Sequence, residues 1–193
     1  LPSNSFKDRA SSLIVLKLIE DKINTVCAAS TGNAAASLSL LTAPLKIKTI
    51  IFLPSTAPKA KIAQLMIFDA NIFAVEGNYD DCFNLSIRFS KEFGWYNRNT
   101  GYNPFTRECK KSVSFEIYHQ LNKNIPDYIF VPIGDGNIIT GVFKGFIDLL
   151  KTGLIKKIPK IIGVQSVFSA SVYKSFIKNS ELIKVKSHSI ADS

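Results

Sequence analysis

Short apolar runs alternate along the chain with segments in which apolar residues recur every three or four positions. The runs lack the strict two-residue alternation of a half-exposed strand, which is typical of buried parallel strands. They are predicted as strands over the following ranges: Thr25 to Ala29, Lys48 to Pro54, Asn71 to Gly77, Asp127 to Gly134 and Lys160 to Ser166.

The segments between these runs have helical spacing, so each could lay one apolar stripe against a sheet. Two such stripes are formed by Cys82, Leu85, Phe89 and Phe93, and by Val113, Ile117 and Leu121. The strand-helix order predicts an α/β fold with parallel sheets, helices on both sheet faces and right-handed crossovers. In such folds ligands bind beyond the carboxyl ends of the strands, so we look for chemistry there.

Composition narrows the class of protein without deciding its function. The chain has 193 residues, 46% of them hydrophobic, which suits one domain or two incomplete ones. It has neither a run of about 18 apolar residues nor a signal peptide, so we expect a cytoplasmic protein without a membrane partner. The cysteines Cys27, Cys82 and Cys109 form no CxxC pair, which favours free structural thiols in a reducing compartment. The net charge of +9 comes from scattered lysines, which indicates no nucleic-acid site but suits an anionic small molecule.

Two of the predicted strands end in polar turns that contain glycine and precede a helix. The first turn is "STGN", Ser30 to Asn33, and the second lies within "IGDGNIITG", Ile133 to Gly141. Free backbone N–H groups at a helix start favour a phosphate or carboxylate. Ordinary strand-helix connections look the same, and the Asp135 carboxylate would repel a phosphate unless turned away or countered. The residues alone leave both readings open.

The pentapeptide "SFKDR", Ser5 to Arg9, places a lysine between an aromatic ring and a charged pair. Taken alone, Lys7 reads as a solvated charge at a helix start. The alternative is an amine with a chemical role, and the pentapeptide does not choose between the two.

Several motifs, in this order, resemble threonine synthases of the pyridoxal-phosphate (PLP) fold type II group, and together they cover nearly the whole chain. They are "PSNSFKDRA", "ASTGNAAAS", "VEGNYDD", "NRNTGYNPFTRE" and "VPIGDGNIITGVFKGF". "SFKDR" and "STGN" are shared with the wider group, including cysteine synthases and serine/threonine dehydratases. The other three are similar to threonine synthases in particular.

The resemblance implies two three-layer, parallel-sheet domains of fold type II, both incomplete, over residues 1–100 and 101–193. Because the chain opens on Leu1 and stops soon after "SHSIADS", we expect an internal fragment. In the family, a serine or threonine beyond the segment matching Ser189 to Ser193 meets the pyridine nitrogen of the cofactor. We expect that partner to lie outside this chain.

The resemblance implies that Lys7 holds PLP as a Schiff base and later moves protons, with Phe6 packed beside the cofactor. Burial and nearby positive charge help such an amine to lose its proton. Asn33 would donate to the 3′-oxygen of the cofactor ring, while Asp8 and Arg9 position the following helix. The cofactor phosphate would meet a turn formed by Gly134, Asp135, Gly136, Asn137 and Ile138, where Asp135 departs from the family pattern.

The reaction implied is conversion of O-phospho-L-homoserine and water to L-threonine and phosphate. PLP is an electron sink suited to this elimination and addition chemistry. By analogy the substrate phosphate would meet Ser30, Thr31, Lys61, Asn99, Thr100 and Arg107. Lys61 also reads as a solvated helix lysine, and the register of Arg107 against the family's arginine is open by one position. Three alternatives stay open: a dehydratase, a cysteine synthase and a silent homologue. The oligomeric state, including a homodimer, is also left open.

The remaining polar residues have simpler interpretations. In "VEGNYDD", Asn78 is predicted to cap a helix whose first turn carries Asp80 and Asp81, in preference to a metal or acid-base site. His119 and His188 have no matching partner in the sequence and are interpreted as structural or exposed.

Overall fold

The computed structural model describes residues 1–183 and residue 185. Two compact units make up the chain, Leu1–Cys109 and Lys110–Ser193. The prediction for Ser189 to Ser193 and His188 lies outside the described residues. The helices are α1 (Asp8–Glu20), α2 (Asn33–Thr42), α3 (Lys59–Ile67), α4 (Tyr79–Phe93), α5 (Phe105–Glu108), α6 (Ser112–Gln120), α7 (Asn137–Lys151) and α8 (Ser171–Lys178). The strands are β1 (Thr25–Ala29), β2 (Lys48–Pro54), β3 (Asn71–Val75), β4 (Tyr96–Asn97), β5 (Tyr128–Pro132) and β6 (Lys160–Val164).

The first unit is built on a four-stranded parallel sheet in the order β3-β2-β1-β4. Strand β1 is central, with Val26 opposite Thr49 of β2 on one side and opposite Tyr96 of β4 on the other. The order reverses at β1, because the chain runs outward through β2 and β3 and then returns to place β4 on the opposite edge. Such a reversal is the topological switch point at which open α/β sheets hold ligands.

Alternate residues of β1 and β2 enter two separate cores, one on each face of this sheet. On one face Val26 and Ile51 pack with Ile14 of α1 and Leu38 of α2. On the opposite face apolar residues of the same strands pack against α4, among them Cys27, Ile50, Phe52 and Cys82. Because both faces are covered, the strands read as continuous apolar runs.

The second unit contains a two-stranded parallel sheet, β5-β6, in which Tyr128 lies opposite Lys160. Val131 packs with Val142, Phe146 and Leu149 of α7. Helices α6 and α7 approach so closely that a methyl group added at Gly145 would meet the Lys111 carbonyl oxygen at 2.6 Å. This glycine is therefore required by packing.

The structure confirms the predicted α/β fold with parallel sheets. The bounds of β1 and β2 are as predicted, whereas β3, β5 and β6 each end two residues earlier, where the chain leaves the sheet for a polar turn. In the predicted stripes, Cys82 is buried but Phe93 is 55% exposed and Leu121 is 45% exposed, because each lies at the end of its helix. Strand β4 was not predicted, since two residues carry no periodicity.

In the described part of the chain all three cysteines are thiols rather than disulfide partners, as predicted. Cys27 and Cys82 are buried on the α4 face of the first sheet. Burial raises the pKa of the Cys27 thiol to about 12, so it stays protonated at neutral pH. Among the described residues, no helix is both long and apolar enough to cross a membrane.

Candidate active site

Lys7 stands immediately before α1, at the N-cap position of that helix. Its backbone N–H donates to Ser5 Oγ at 3.1 Å, and its carbonyl accepts from the Ser11 N–H at 3.0 Å. The side chain is partly buried. The nearby Arg9 guanidinium lies 5.5 Å from the centre of the Phe6 ring. Lys7 therefore has a well-defined backbone position at the start of a helix, with a positive charge close by in the sequence.

Asp8 holds the start of α1 in place, in agreement with the role expected for it. Its carboxylate is buried, with 0% exposure, and accepts from the Ser3 N–H at 2.8 Å and from the Ser3 hydroxyl. Burial is the largest single influence and acts to raise the pKa of this carboxyl, but the hydrogen bonds that it accepts, led by that of the Ser3 hydroxyl, together outweigh burial, so the pKa lies below its ordinary value. The segment before Lys7 is thus tied to the helix after it.

The turn after β1 leaves the start of α2 open. The Ser30 N–H donates to the Phe52 carbonyl at 3.1 Å, and Ser30 Oγ accepts from the Gly32 N–H at 3.2 Å. Thr31 is partly buried, whereas Asn33, the first residue of α2, is exposed. No side chain in the described part of the chain caps this helix, so its first N–H groups and the Asn33 amide can donate to a ligand.

Three asparagines shape the turn after β4: Asn97, Asn99 and Asn103. Asn99 Oδ1 accepts from the Ala29 N–H at 2.7 Å, and its Nδ2 donates to Ser86 Oγ at 2.7 Å. Asn97 Oδ1 accepts from the Asn99 N–H at 2.9 Å, and Asn103 Nδ2 donates to the Asn97 carbonyl at 2.9 Å. These hydrogen bonds show that the Asn99 side chain holds the turn together. Asn99 is only 1% exposed, and its predicted contact with a substrate stays a prediction.

The structure brings the turns after β1 and β4 side by side. Residues Val26 and Cys27 of β1 pair with Tyr96 and Asn97 of β4, so the carboxyl ends of both strands meet at one edge of the sheet. The bond from the Ala29 N–H to Asn99 joins the two turns directly. The candidate residues Ser30, Thr31, Asn99 and Thr100 therefore belong to one local arrangement at the topological switch point.

Two further candidates of the first unit lie on its helices. Lys61 is in the first turn of α3, and its N–H donates to the Pro58 carbonyl at 3.0 Å. Arg107 is in α5, one residue after the fully buried Thr106. Both candidate side chains are partly buried, and their contacts with a substrate stay predictions.

In the second unit, the predicted phosphate turn precedes α7. Gly136 has φ of 79°, a left-handed conformation that favours glycine, and Gly134 has no atom within 4 Å of where a side chain would begin. Asn137 is buried, Ile138 is partly buried, and the Asn137 N–H donates to Asp135 Oδ1 at 3.0 Å. The backbone of this turn suits the phosphate of PLP, but that phosphate would have to replace the Asp135 carboxylate at the Asn137 N–H.

The "VEGNYDD" motif forms a helix cap, as predicted. Asn78 Oδ1 accepts from the N–H groups of Asp80 at 2.7 Å and Asp81 at 3.2 Å, and Asp81 Oδ2 accepts from the Asn78 N–H at 2.8 Å. This is a capping box at the start of α4. His119 is exposed on α6. Within residues 1–183 and 185, no three histidine, cysteine or acidic side chains are grouped as metal ligands.

Sequence reasoning missed Arg98, which is 1% exposed between the buried Asn97 and Asn99. Arginine is usually at the surface, so nothing about this residue type indicated that Arg98 is buried. The available signal was the dense polar run "YNRNTGYN" directly after a strand.

The sequence profile of the family described as "Pyridoxal-phosphate dependent enzyme" matches residues 1–193. Among curated proteins, the threonine synthase of Methanocaldococcus jannaschii is 36% identical over 181 residues, which is 93% of this chain and 44% of that protein. The threonine synthase of Mycobacterium tuberculosis is 32% identical over 170 residues, covering 88% of this chain and 47% of the relative. The chain thus spans about half the length of the curated relatives it matches.

Solved structures with a similar fold include other enzymes. The processed form of threonine deaminase isoform 2 from Solanum lycopersicum is 25% identical, with a TM-score of 0.78 over 92% of this chain and 47% of that one. Cysteine synthase from Entamoeba histolytica has a TM-score of 0.75 over 88% of this chain and 50% of that one, and its 22% identity shows the fold alone.

Proposed function

Because the chain belongs to the family of pyridoxal-phosphate-dependent enzymes, with the fold of their type II group, we propose that the protein carrying it is a threonine synthase. The proposed reaction converts O-phospho-L-homoserine and water to L-threonine and phosphate. Similarity to curated threonine synthases at 29–36% identity over most of the chain supports this choice within the family.

One structural observation carries the proposal. The turns after β1 and β4, whose residues were expected to meet the substrate phosphate, adjoin each other at the switch point and are joined through Asn99. The turn after β1 presents the uncapped start of α2, and Thr100 is partly exposed to solvent beside it. Hydroxyls and free N–H groups of this kind are suited to a phosphate monoester.

PLP, the cofactor of the family, acts as an electron sink when bound. In our proposal Lys7 holds the cofactor covalently and moves a proton at the substrate's α-carbon, as its place before a firmly held helix allows. Phe6 would pack beside the cofactor ring, and the amide of Asn33, which is exposed, would donate to the ring oxygen. The turn Gly134 to Ile138 would hold the cofactor phosphate through its backbone N–H groups.

In the same proposal, the substrate phosphate is bound by Ser30, Thr31 and Thr100, with positive charge from Lys61 and Arg107. Asn99 keeps the two turns together and contributes to binding through them. These assignments separate the residues that move a proton from those that recognise the leaving group.

The test uses the full-length natural protein loaded with PLP. We expect visible absorbance from covalently held cofactor and release of phosphate from O-phospho-L-homoserine, and both should be lost in Lys7→Ala. Lys91→Ala, an exposed lysine on α4, is the matched control and should change neither. Cofactor absorbance that survives Lys7→Ala, or no phosphate release by the wild-type protein, contradicts the proposal.

A second candidate is a serine/threonine dehydratase, favoured by the likeness to the tomato threonine deaminase. Formation of 2-oxobutanoate from threonine without release of phosphate from O-phospho-L-homoserine would select it. A protein that fails to bind PLP at all would instead indicate a silent homologue.

A further inference from the structure

Arg98 is a buried cation at the carboxyl end of β4. It is 1% exposed, and its backbone N–H donates to the Cys27 carbonyl at 2.9 Å. A guanidinium taken out of water needs hydrogen bonds and a counter-charge to offset the lost hydration.

The guanidinium is only weakly satisfied. Nη1 donates to Thr100 Oγ1 at 3.5 Å and Nη2 donates to Ser11 Oγ at 3.4 Å, both long for hydrogen bonds. Nε is buried, and no atom of residues 1–183 and 185 accepts a hydrogen bond from it. No carboxylate among the described residues pairs with Arg98 within 4.0 Å. Burial lowers the pKa of Arg98 to about 10, against a smaller opposite effect of the Tyr79 phenol.

The two hydroxyls that accept from Arg98 differ in their surroundings. Arginine has donors and no acceptors, so each hydroxyl must use a lone pair toward it and can turn its own proton elsewhere. Ser11 is fully buried in α1, whereas Thr100 is partly exposed. A ligand can therefore contact the Thr100 hydroxyl but not the Ser11 hydroxyl, so hydrogen bonds can link Arg98 to a ligand only through Thr100.

We propose that Arg98 is a positioning residue that turns the Thr100 hydroxyl outward as a donor and places a positive charge behind it, for recognition of the substrate's phosphate monoester group. This inference rests on the proposed function, which assigns Thr100 to that group. The anion supplies the counter-charge that the described residues do not. A charge behind a hydroxyl in a dry environment strengthens its hydrogen bond to an anion.

The alternative is that Arg98 only fastens α1 to the turn after β4. The two roles differ in their coupling to Thr100. If Arg98 acts through the Thr100 hydroxyl, removing that hydroxyl should reduce the effect of Arg98 on anion binding to the direct attraction between its charge and the anion. A fastening role would affect anion binding equally with or without the hydroxyl.

The experiment titrates inorganic phosphate into the full-length, PLP-saturated protein by calorimetry, so that the cofactor's own phosphate site is filled. Variants are Arg98→Met, Thr100→Val and the double variant. We expect each single change to weaken phosphate binding by about tenfold or more, since each removes a hydrogen bond or charge acting on the anion. In the Thr100→Val background only the direct attraction of the charge remains, so Arg98→Met should weaken binding by a smaller factor than it does in the wild-type background.

Arg88→Met, an exposed arginine on α4, is the control and should bind phosphate like the wild type. If Arg98→Met does not fold, as judged by Trp95 fluorescence, Arg98→Lys enters the same cycle, because its shorter donor set cannot make both contacts. Equal weakening in both backgrounds, unchanged binding in Arg98→Met, or no phosphate binding by the wild type overturns the inference. Phosphate binding is measured without turnover, so this result is independent of whether O-phospho-L-homoserine is a substrate.

Discussion

The Asn99 side chain is predicted to be a main source of stability in the first unit. Replacing it by alanine leaves the Ala29 N–H, on a strand residue that is 5% exposed, without its acceptor. An orphaned buried donor costs about 1–3 kcal/mol. Ser86 Oγ loses one bond but still donates to the Phe83 carbonyl at 2.7 Å, which limits that loss to about 0.5–1.5 kcal/mol.

Together these two losses predict that Asn99→Ala lowers the free energy of unfolding by about 1.5–4.5 kcal/mol, a large part of the roughly 5–15 kcal/mol of an ordinary domain. Urea unfolding followed by tryptophan fluorescence measures it, because Trp95 is the only tryptophan of the chain. Its ring lies 5.0 Å from the Phe93 ring and 6.4 Å from the Phe89 ring, so its emission reports packing in the first unit.

Asn84→Ala is the matched control, since Asn84 is exposed on α4 and surface changes there stay within about 0.5 kcal/mol. The midpoint of Asn99→Ala should fall with an unchanged slope against urea. If both variants unfold at the same midpoint, the asparagine network does not hold the two turns together and the reasoning fails.

Three further changes have defined outcomes. Asn78→Ala removes the cap of α4 and should cost about 1 kcal/mol in urea unfolding, whereas an unchanged midpoint would contradict the capping role. Gly145→Ala forces a methyl group against the Lys111 carbonyl and should cost about 1–3 kcal/mol by circular dichroism, with Gly134→Ala, where space is open, as the control. The depressed pKa of Asp8 means that its contribution to stability is present above its ordinary value of 3.8 and is lost as pH falls through the lower folded value. Asp8→Asn should therefore unfold more easily at pH 7 and lose less stability on acidification than the wild type; parallel pH profiles would refute this.

The parts of the fold that follow from local pattern were predictable. Strands β1 and β2 are buried on both faces, so their apolar runs and polar ends marked their bounds directly. Strand β4 has only two residues and forms because it pairs with Val26 and Cys27 of β1. The two strands are far apart in the sequence: Ala29 and Asn99, which are hydrogen-bonded where the strands end, are separated by 70 residues. No local window contains that information.

The candidate site, like the fold, was predictable from the sequence only in part. The turns around Ser30 and Gly134 were visible as polar glycine-containing segments after strands, and the Asn78 cap was visible as an asparagine just before two aspartates. The burial of Asn99 and Arg98 was not, because asparagine and arginine are usually exposed and nothing local distinguishes a buried one. Their environment depends on Ser11 of α1 and Ser86 of α4, which the fold alone brings near.

Strand order explains why these polar residues gather after β1 and β4 in particular. Helices that follow β1 and β2 lead outward to β2 and β3, whereas β4 returns to the other side of β1, so the connections on either side of the β1–β4 pair diverge. A crevice opens where connections diverge, and polar groups at the strand ends there are not covered by a crossing helix. The backbone N–H of the last residue of β1 still needs an acceptor, and Asn99 Oδ1 accepts from it. A side chain that closes the bottom of a crevice must be buried, and the next residues toward solvent are then the ones able to contact a ligand. Arg98 lies among the buried ones and Thr100 among those near solvent, which is why we assign a positioning role to the first and direct contact to the second.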